Sequence, residues 1–252
     1  MHKIFFLLTT GFLSLSFSLF PVVKAGSKIT AERTVNVTPA IASPEDEITA
    51  DDLSGAFVAV LYDRLELAKL GLSFNVLQHA VKGYQHLLNK GAIQNANIVT
   101  VCDFSQSSKR KRMYILDVKN QKVLVNTYVA HGKNTGVEYA KSFSNANESL
   151  QSSLGFYVTK GTYFGKHGLS LKLEGKEPGF NDNAEQRAVV LHGADYIGSH
   201  RLSSAYMGRS FGCPAVPEAE KEKVISLIKN GTLLFIYHPT SSYLNGSRIL
   251  NS

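Results

Sequence analysis

Apolar positions along the chain follow two different spacings, and the switch between them divides the fold. From Asp51 the spacing is helical: Leu53, Phe57, Leu61, Leu65 and Ala68 share one face, and Gly71 can close the helix. Ser73 is a good N-cap for a second helix, in which Phe74, Leu77, Val81, Tyr84 and Leu88 recur at three and four residues before Gly91. Together they predict a helical hairpin over 50–92 that packs on the body of the protein and carries no chemistry of its own. From Asn97 the residues become β-rich. "NIVTVCDF" predicts a strand, and "RMYILDV" and "KVLVNTYVAHG", joined by "KNQ", predict a hairpin. "GFYVTKGTYFG", "SLKLEG" and "RAVVLHG" predict further strands. "PEAEKEKVISLIKNG" predicts a late helix, with Pro217 in its first turn and Gly231 at its end, and "TLLFIYH" predicts a closing strand. A mainly β body over 93–240, with one late helix and a tail over 241–252, implies a small sheet sandwich or barrel with helical decoration. No internal repeat or low-complexity tract is visible.

The N-terminal residues follow neither spacing. "MHK" is a positive start, "IFFLLTTGFLSLSFSLF" is uncharged and apolar, and "VKA" before Gly26 is a small-residue cleavage site. That is the three-part pattern of a secretory signal over 1–25. The run is short for a membrane span and is interrupted by Ser and Gly, so cleavage after Ala25 is expected, with no stable membrane insertion afterwards. Residues 26–49 lack a consistent apolar period and carry Pro, Ser and Thr, which predicts a flexible lead-in. The expected location is outside the cytoplasm, in the periplasm or cell envelope. A mature chain of 227 residues is enough for one sizeable core.

Charge narrows the partners. The formal net charge is +7, and losing Lys3 and Lys24 with the signal leaves +5. Such an excess suits anionic surfaces such as cell-wall polymers, and it is too diffuse to imply nucleic acid. The one basic cluster, "KRKR" at 109–112, reads as a solvated loop. The two cysteines of an exported chain could form only one bridge, Cys102 to Cys213, although a chain of this size needs no such staple. Cys102 lies in an apolar strand and reads as a small core residue. Cys213 lies in "GRSFGCPAVP", a small-residue turn where the backbone can come close to a ligand.

A cysteine nucleophile needs a base, a group to orient that base, and donors for the oxyanion. Of eight histidines, His192 stands out because it ends "AVVLHG". A buried strand delivers it to a fixed place, and Gly193 then frees the backbone to turn. His131 reads as a strand-end residue. His167, Tyr157, His200 and Arg187 read as solvated loop or ordinary strand residues. A zinc site of His192, Asp195 and His200 has ligand spacings that fit no persuasive set and leaves the cysteine motif unexplained.

The stretch "HGADYIGSHRLSSAYMGRSFGCPAV" resembles the signature of the L,D-transpeptidase (YkuD-like) catalytic domain family: a His-Gly pair at a strand end, a variable loop, then Ser-x-Gly-Cys. "DFSQSSKRKRMYILDVKNQKVLVNTYVAHGKNTG", "SSLGFYVTKGTY" and "LIKNGTLLFIY" resemble that family's opening hairpin, Gly-aromatic strand, and last helix and strand, so the likeness extends over 97–238. It implies a YkuD-like β-sandwich or barrel. It implies Cys213 as nucleophile and His192 as base and imidazolium partner, oriented by the Gly193 carbonyl. The N–H groups of Gly212 and Cys213 would form the oxyanion site, with Ser210 supporting the turn. The chain departs from the family in having Phe211 before Gly-Cys and Ala215 in place of an arginine, and in the 21 positions separating His192 from Cys213. These mark a divergent Ser-Phe-Gly-Cys-Pro subfamily. Arg209 is the candidate to replace the missing charge, and Tyr196 is a second candidate for substrate contact. The implied reaction is acyl transfer on peptidoglycan stem peptides through a thioester, with no metal or organic cofactor. Two other functions stay open: an L,D-carboxypeptidase that gives the same acyl-enzyme to water, and a cell-wall-binding module without catalysis.

Overall fold

A computed structural model describes residues 50–252; the expected signal and lead-in lie outside the described residues. Three helices come first: α1 (Ala50–Arg64), α2 (Leu67–Leu70) and α3 (Phe74–Asn89). The expected first helix is thus broken. Leu65 and Leu67 are both buried, yet two residues apart on one helix they would point to opposite sides. Glu66 resolves this by taking a left-handed φ of 50°, which restarts the chain as α2. Gly71 caps α2 with φ 86°, and Ser73 Oγ accepts the Val76 N–H at 3.4 Å to start α3. Helix α3 buries Val76, Leu77, Ala80, Val81 and Leu87. Its Gly83 lies against Phe156, where a Cβ would stand 2.1 Å from the ring, so the close approach of helix to sheet requires glycine. No helix of the described residues is long and apolar enough to cross a membrane.

The body is mainly β, as the pattern predicts. It comprises β1 (Ile98–Asp103), β2 (Met113–Asp117), β3 (Lys122–Thr127), β4 (Gly155–Gly165), β5 (Gly168–Gly175), β6 (Val190–Ala194), β7 (Ala215–Pro217), α4 (Lys221–Ile228), β8 (Leu233–Tyr237) and α5 (Ser241–Gly246). One eight-stranded sheet runs in the order β3-β2-β1-β8-β4-β5-β6-β7. It nearly closes, because the chain leaving β3 crosses to the far edge, where the Ala130 N–H donates to the Ala215 carbonyl at 2.8 Å. Strands β1 and β8 pair in parallel at the centre and are buried along their whole length.

Four expectations change. The "KRKR" cluster is not wholly solvated: Arg112 is fully buried. Its guanidinium donates to the carbonyls of Val129 and Gln106 and to His131 Nδ1 at 2.8 Å. The buried charge is tolerated because those acceptors replace the water it lost. His131 is likewise interior, and burial, then Arg112, pushes its pKa down to about 3. The late helix starts at Lys221 after a 3₁₀ turn, Glu218–Glu220, and Pro217 closes β7 instead of opening the helix. Residues 241–252 are also more than a tail. Helix α5 buries Tyr243, whose hydroxyl donates to Glu177 Oε2 at 2.9 Å. The buried Glu177 carboxylate also accepts from the Phe156 N–H at 2.8 Å and from the Ser247 hydroxyl, so the C-terminal segment is tied to the start of β4.

Replacing Tyr243 with Ala should therefore cost about 3–5 kcal/mol, the range for deleting a buried aromatic ring. A lower urea midpoint would show this loss, whereas an unchanged midpoint would mean that the C-terminal segment is dispensable.

Candidate active site

Strand β6 is buried at every position and carries His192 between two neighbours, with Ser170 of β5 on one side and Ala215 of β7 on the other. The His192 ring is almost inaccessible. Its Nδ1 lies 2.8 Å from the Gly193 carbonyl oxygen. That carbonyl can only accept, so Nδ1 carries the proton and Nε2 keeps a free lone pair. One face of the ring stacks on His167, with centroids 4.2 Å apart.

The turn before β7 is held at several points. Ser210 Oγ accepts the Gly212 N–H at 3.1 Å and donates to the Cys213 carbonyl at 2.6 Å. The Ser210 N–H donates to the His131 carbonyl, and the Ser210 carbonyl accepts the Lys133 N–H. Gly212 has φ 127°, and a Cβ there would meet the Gln151 carbonyl oxygen at 2.9 Å, so conformation and space both demand glycine. The Gly212 carbonyl accepts from Ser152 Oγ at 3.0 Å. Cys213 is half-buried and its thiol is free, as is that of fully buried Cys102. Its Sγ accepts the Val190 N–H at 3.5 Å and points its proton to the Ala188 carbonyl at 3.8 Å. The sulfur thus rests on the strand that carries His192, two residues before that ring, although His192 is not among its hydrogen-bond partners.

Burial sets the charge states. It pushes the Cys213 thiol up, against the smaller pulls of the Val190 N–H and the Arg187 guanidinium. It pulls His192 down, opposed by the Gly193 carbonyl. Both shifts favour the uncharged form of the group.

Three expectations about individual residues change here. The Gly212 N–H is not an open oxyanion donor, because Ser210 Oγ occupies it; the Cys213 N–H is used in no backbone hydrogen bond. Arg209 is not among the groups acting on the Cys213 thiol. It donates to the carbonyls of Lys133 and Gly136 and lies over the Tyr206 ring. The arginine beside the thiol is Arg187, whose guanidinium reaches the Gln151 carbonyl at 2.6 Å and stands next to Gly212. Nothing local in "NAEQRAVV" marks it, since its partners are more than 30 residues away. His167, read from sequence as solvated, is the ring stacked on His192. For Tyr196, burial, then the nearby Cys213, pushes the hydroxyl up to about 12. His200 is exposed, and its Nε2 bonds the Asp195 carbonyl.

A cleft of about 590 Å³ has residues 188–190 as one wall and Lys160, Tyr163, Lys172, Leu173, Glu174 and Glu185 as the others; neither Cys213 nor His192 lines it. Lys160 and Lys176 pair with Glu174, while Lys172 lies over the Tyr163 ring at 5.8 Å.

The family model described as the L,D-transpeptidase catalytic domain matches residues 68–237. No curated protein matches the sequence. Similar solved structures include the L,D-transpeptidase from Mycobacterium smegmatis, 10% identical, which covers 56% of this chain with a TM-score of 0.36. This chain spans only 59% of that structure's length. An L,D-transpeptidase from Xylanimonas cellulosilytica is 16% identical over 72% of this chain and 93% of its own, with a TM-score of 0.32. One from Stackebrandtia nassauensis is 11% identical over 74% of this chain and 78% of its own, with a TM-score of 0.33. The sequence match, rather than these partial superpositions, carries the assignment.

Under native conditions a thiol reagent should modify Cys213 and leave Cys102 untouched. Burial inside β1 pushes the Cys102 thiol up to about 12 and shields it. Peptide mapping after labelling checks this, and equal modification of both cysteines would contradict the exposure difference.

Proposed function

The chain belongs to the L,D-transpeptidase catalytic domain family, and on that premise we propose that it transfers acyl groups from peptidoglycan stem peptides through a thioester on Cys213. One observation carries the proposal: the Cys213 sulfur lies against β6, two residues from a His192 whose Nε2 is left free by the Nδ1–H···O=C bond to Gly193.

The thiol starts protonated. Rotation about the Cys213 Cα–Cβ bond brings it to His192 Nε2, a contact of the kind that tightens when substrate arrives. As sulfur attacks the carbonyl carbon of the third stem residue, the thiol proton passes to Nε2, and the Gly193 carbonyl steadies the imidazolium. The Cys213 N–H, which makes no backbone hydrogen bond, supports the oxyanion; a donor of this kind is worth about 2.7–4 kcal/mol elsewhere. The amide C–N bond then breaks, and the imidazolium returns its proton to the departing amine of the terminal D-amino acid. An amine of a second stem attacks the thioester and restores the thiol. The cleft beside residues 188–190 offers Lys172 to stem carboxylates and Glu185 to amino groups. The export pattern of residues 1–25 and the net positive charge support work in the cell envelope.

With defined stem peptides the products should be cross-linked dimers read by mass. Trimmed monomers alone would assign the acyl-enzyme to hydrolysis, and no product would leave only a wall-binding role. Cys213→Ala should abolish turnover, and His192→Ala should lower kcat by about 10²–10⁴, the usual share of general acid–base catalysis. Near-normal turnover in either variant removes that residue from the mechanism.

Catalysis needs His192 neutral to receive the proton. Its pKa is lowered by burial, so the neutral form persists to lower pH than for a free imidazole. The acid limb of kcat/KM should therefore fall below the ordinary imidazole range. A midpoint above that range would contradict the burial argument.

A carbapenem offers the same thiol a strained carbonyl. Intact mass should show one adduct on the wild type and none on Cys213→Ala. An adduct on both would mean a different nucleophile.

A further inference from the structure

The turn between β4 and β5 leaves the body of the sheet. Residues 161–167 are exposed, and the Phe164 side chain is 84% accessible. The turn lies close to the site because β5 pairs with β6 at Ser170 and His192, and the His167 and His192 rings lie 17° from parallel with centroids 4.2 Å apart. Stacked imidazoles carry their nitrogens at the ring edges, so this contact passes no proton and forms no hydrogen bond. It covers one face of the base.

His192 needs such a cover. Its ring makes one hydrogen bond, from Nδ1 to Gly193. A single bond fixes one point on the ring edge, and the terminal torsion of histidine has broad minima, so the ring can still rock about that bond. Rocking moves Nε2, which must meet the Cys213 proton. The charged and titratable groups that face His192 are His167 from the β4–β5 turn and Glu218 and Lys221 from the segment after β7. Glu218 and Lys221 pair with each other, which leaves His167 as the aromatic surface against the ring.

We infer that His167 is a positioning residue: its ring, stacked on the His192 imidazole, holds that ring at the angle from which Nε2 can take the Cys213 proton. This rests on the assignment of Cys213 and His192 as a catalytic pair. No feature of "GKHG" itself signals the role, because the stack joins residues 25 positions apart.

The test uses the full chain with His167→Ala, His167→Phe and His167→Gln. It measures kcat and KM on stem peptides, melting temperature, and the pH profile of Cys213 alkylation by iodoacetamide. The Ala variant should lose about tenfold in kcat with KM changed by less than about twofold, since a misplaced group costs rate more than binding. Its alkylation profile should shift to higher pH. The Phe variant, which keeps an aromatic face without a titrating nitrogen, should recover most of the rate and the wild-type profile; the Gln variant should behave like Ala. If melting temperature falls in the Ala variant, the Phe-against-Gln comparison still decides. Wild-type behaviour in Ala, or a Phe variant as impaired as Ala, overturns the inference. His192→Ala is the control: if it too leaves the alkylation profile unchanged, the catalytic pair itself is wrong. If it alone shifts the profile, only the role of His167 fails.

Discussion

The parallel pairing of β6 with β7 is the contact on which the candidate site depends. It sets His192 opposite Ala215, so Cys213 arrives two residues earlier, with its sulfur on the Val190 N–H. Strand β7 is only three residues long and could not hold such a register alone. It is braced by the Ala130 N–H bond to Ala215 and by the bridge between Gly132 and Ser210. The chain leaving β3 therefore does two jobs: it nearly closes the sheet, and it pins the cysteine turn.

Behind that segment lies a polar anchor in the interior. Arg112 gathers the Val129 and Gln106 carbonyls and the His131 ring, and the His131 carbonyl receives the Ser210 N–H. A buried guanidinium is costly unless its donors are met, and here backbone carbonyls meet them. The loop that a lysine- and arginine-rich stretch would otherwise leave in water becomes a strut between the sheet and the turn. The Glu177 carboxylate plays a similar part at the opposite end of the chain, joining Phe156, Tyr243 and Ser247.

Burial also decides the chemistry. Moving a thiol and an imidazole away from water favours the uncharged form of each. In the proposed mechanism, charge appears on the imidazole only as the reaction proceeds, next to the Gly193 carbonyl and beneath the His167 ring. The occupied Gly212 N–H has a structural use: Ser210 Oγ accepts it and so fixes the turn.

Much of this was legible in the sequence because it is written in short-range pattern. Alternating and continuous apolar runs marked the strands, Ser73 and Gly71 marked helix ends, and His192 and Cys213 each stood in a local setting that only a strand end or a glycine turn explains. The turn-supporting Ser210 hydroxyl was readable for the same reason, since its bonds to the Gly212 N–H and the Cys213 carbonyl close within three residues. What lay beyond the sequence depends on partners far along the chain. Arg112 looks like a solvent residue until Val129 and His131 fold over it. The β7 strand has no pattern of its own and exists because β6 lies beside it. Arg187 stands near the thiol because its acceptors come from residues 144–153, and His167 meets His192 only because β5 pairs with β6. Local spacing determines which residues can do chemistry; only tertiary contacts determine which of them share a site, because neither burial nor a stacked ring is a property of a short stretch of chain.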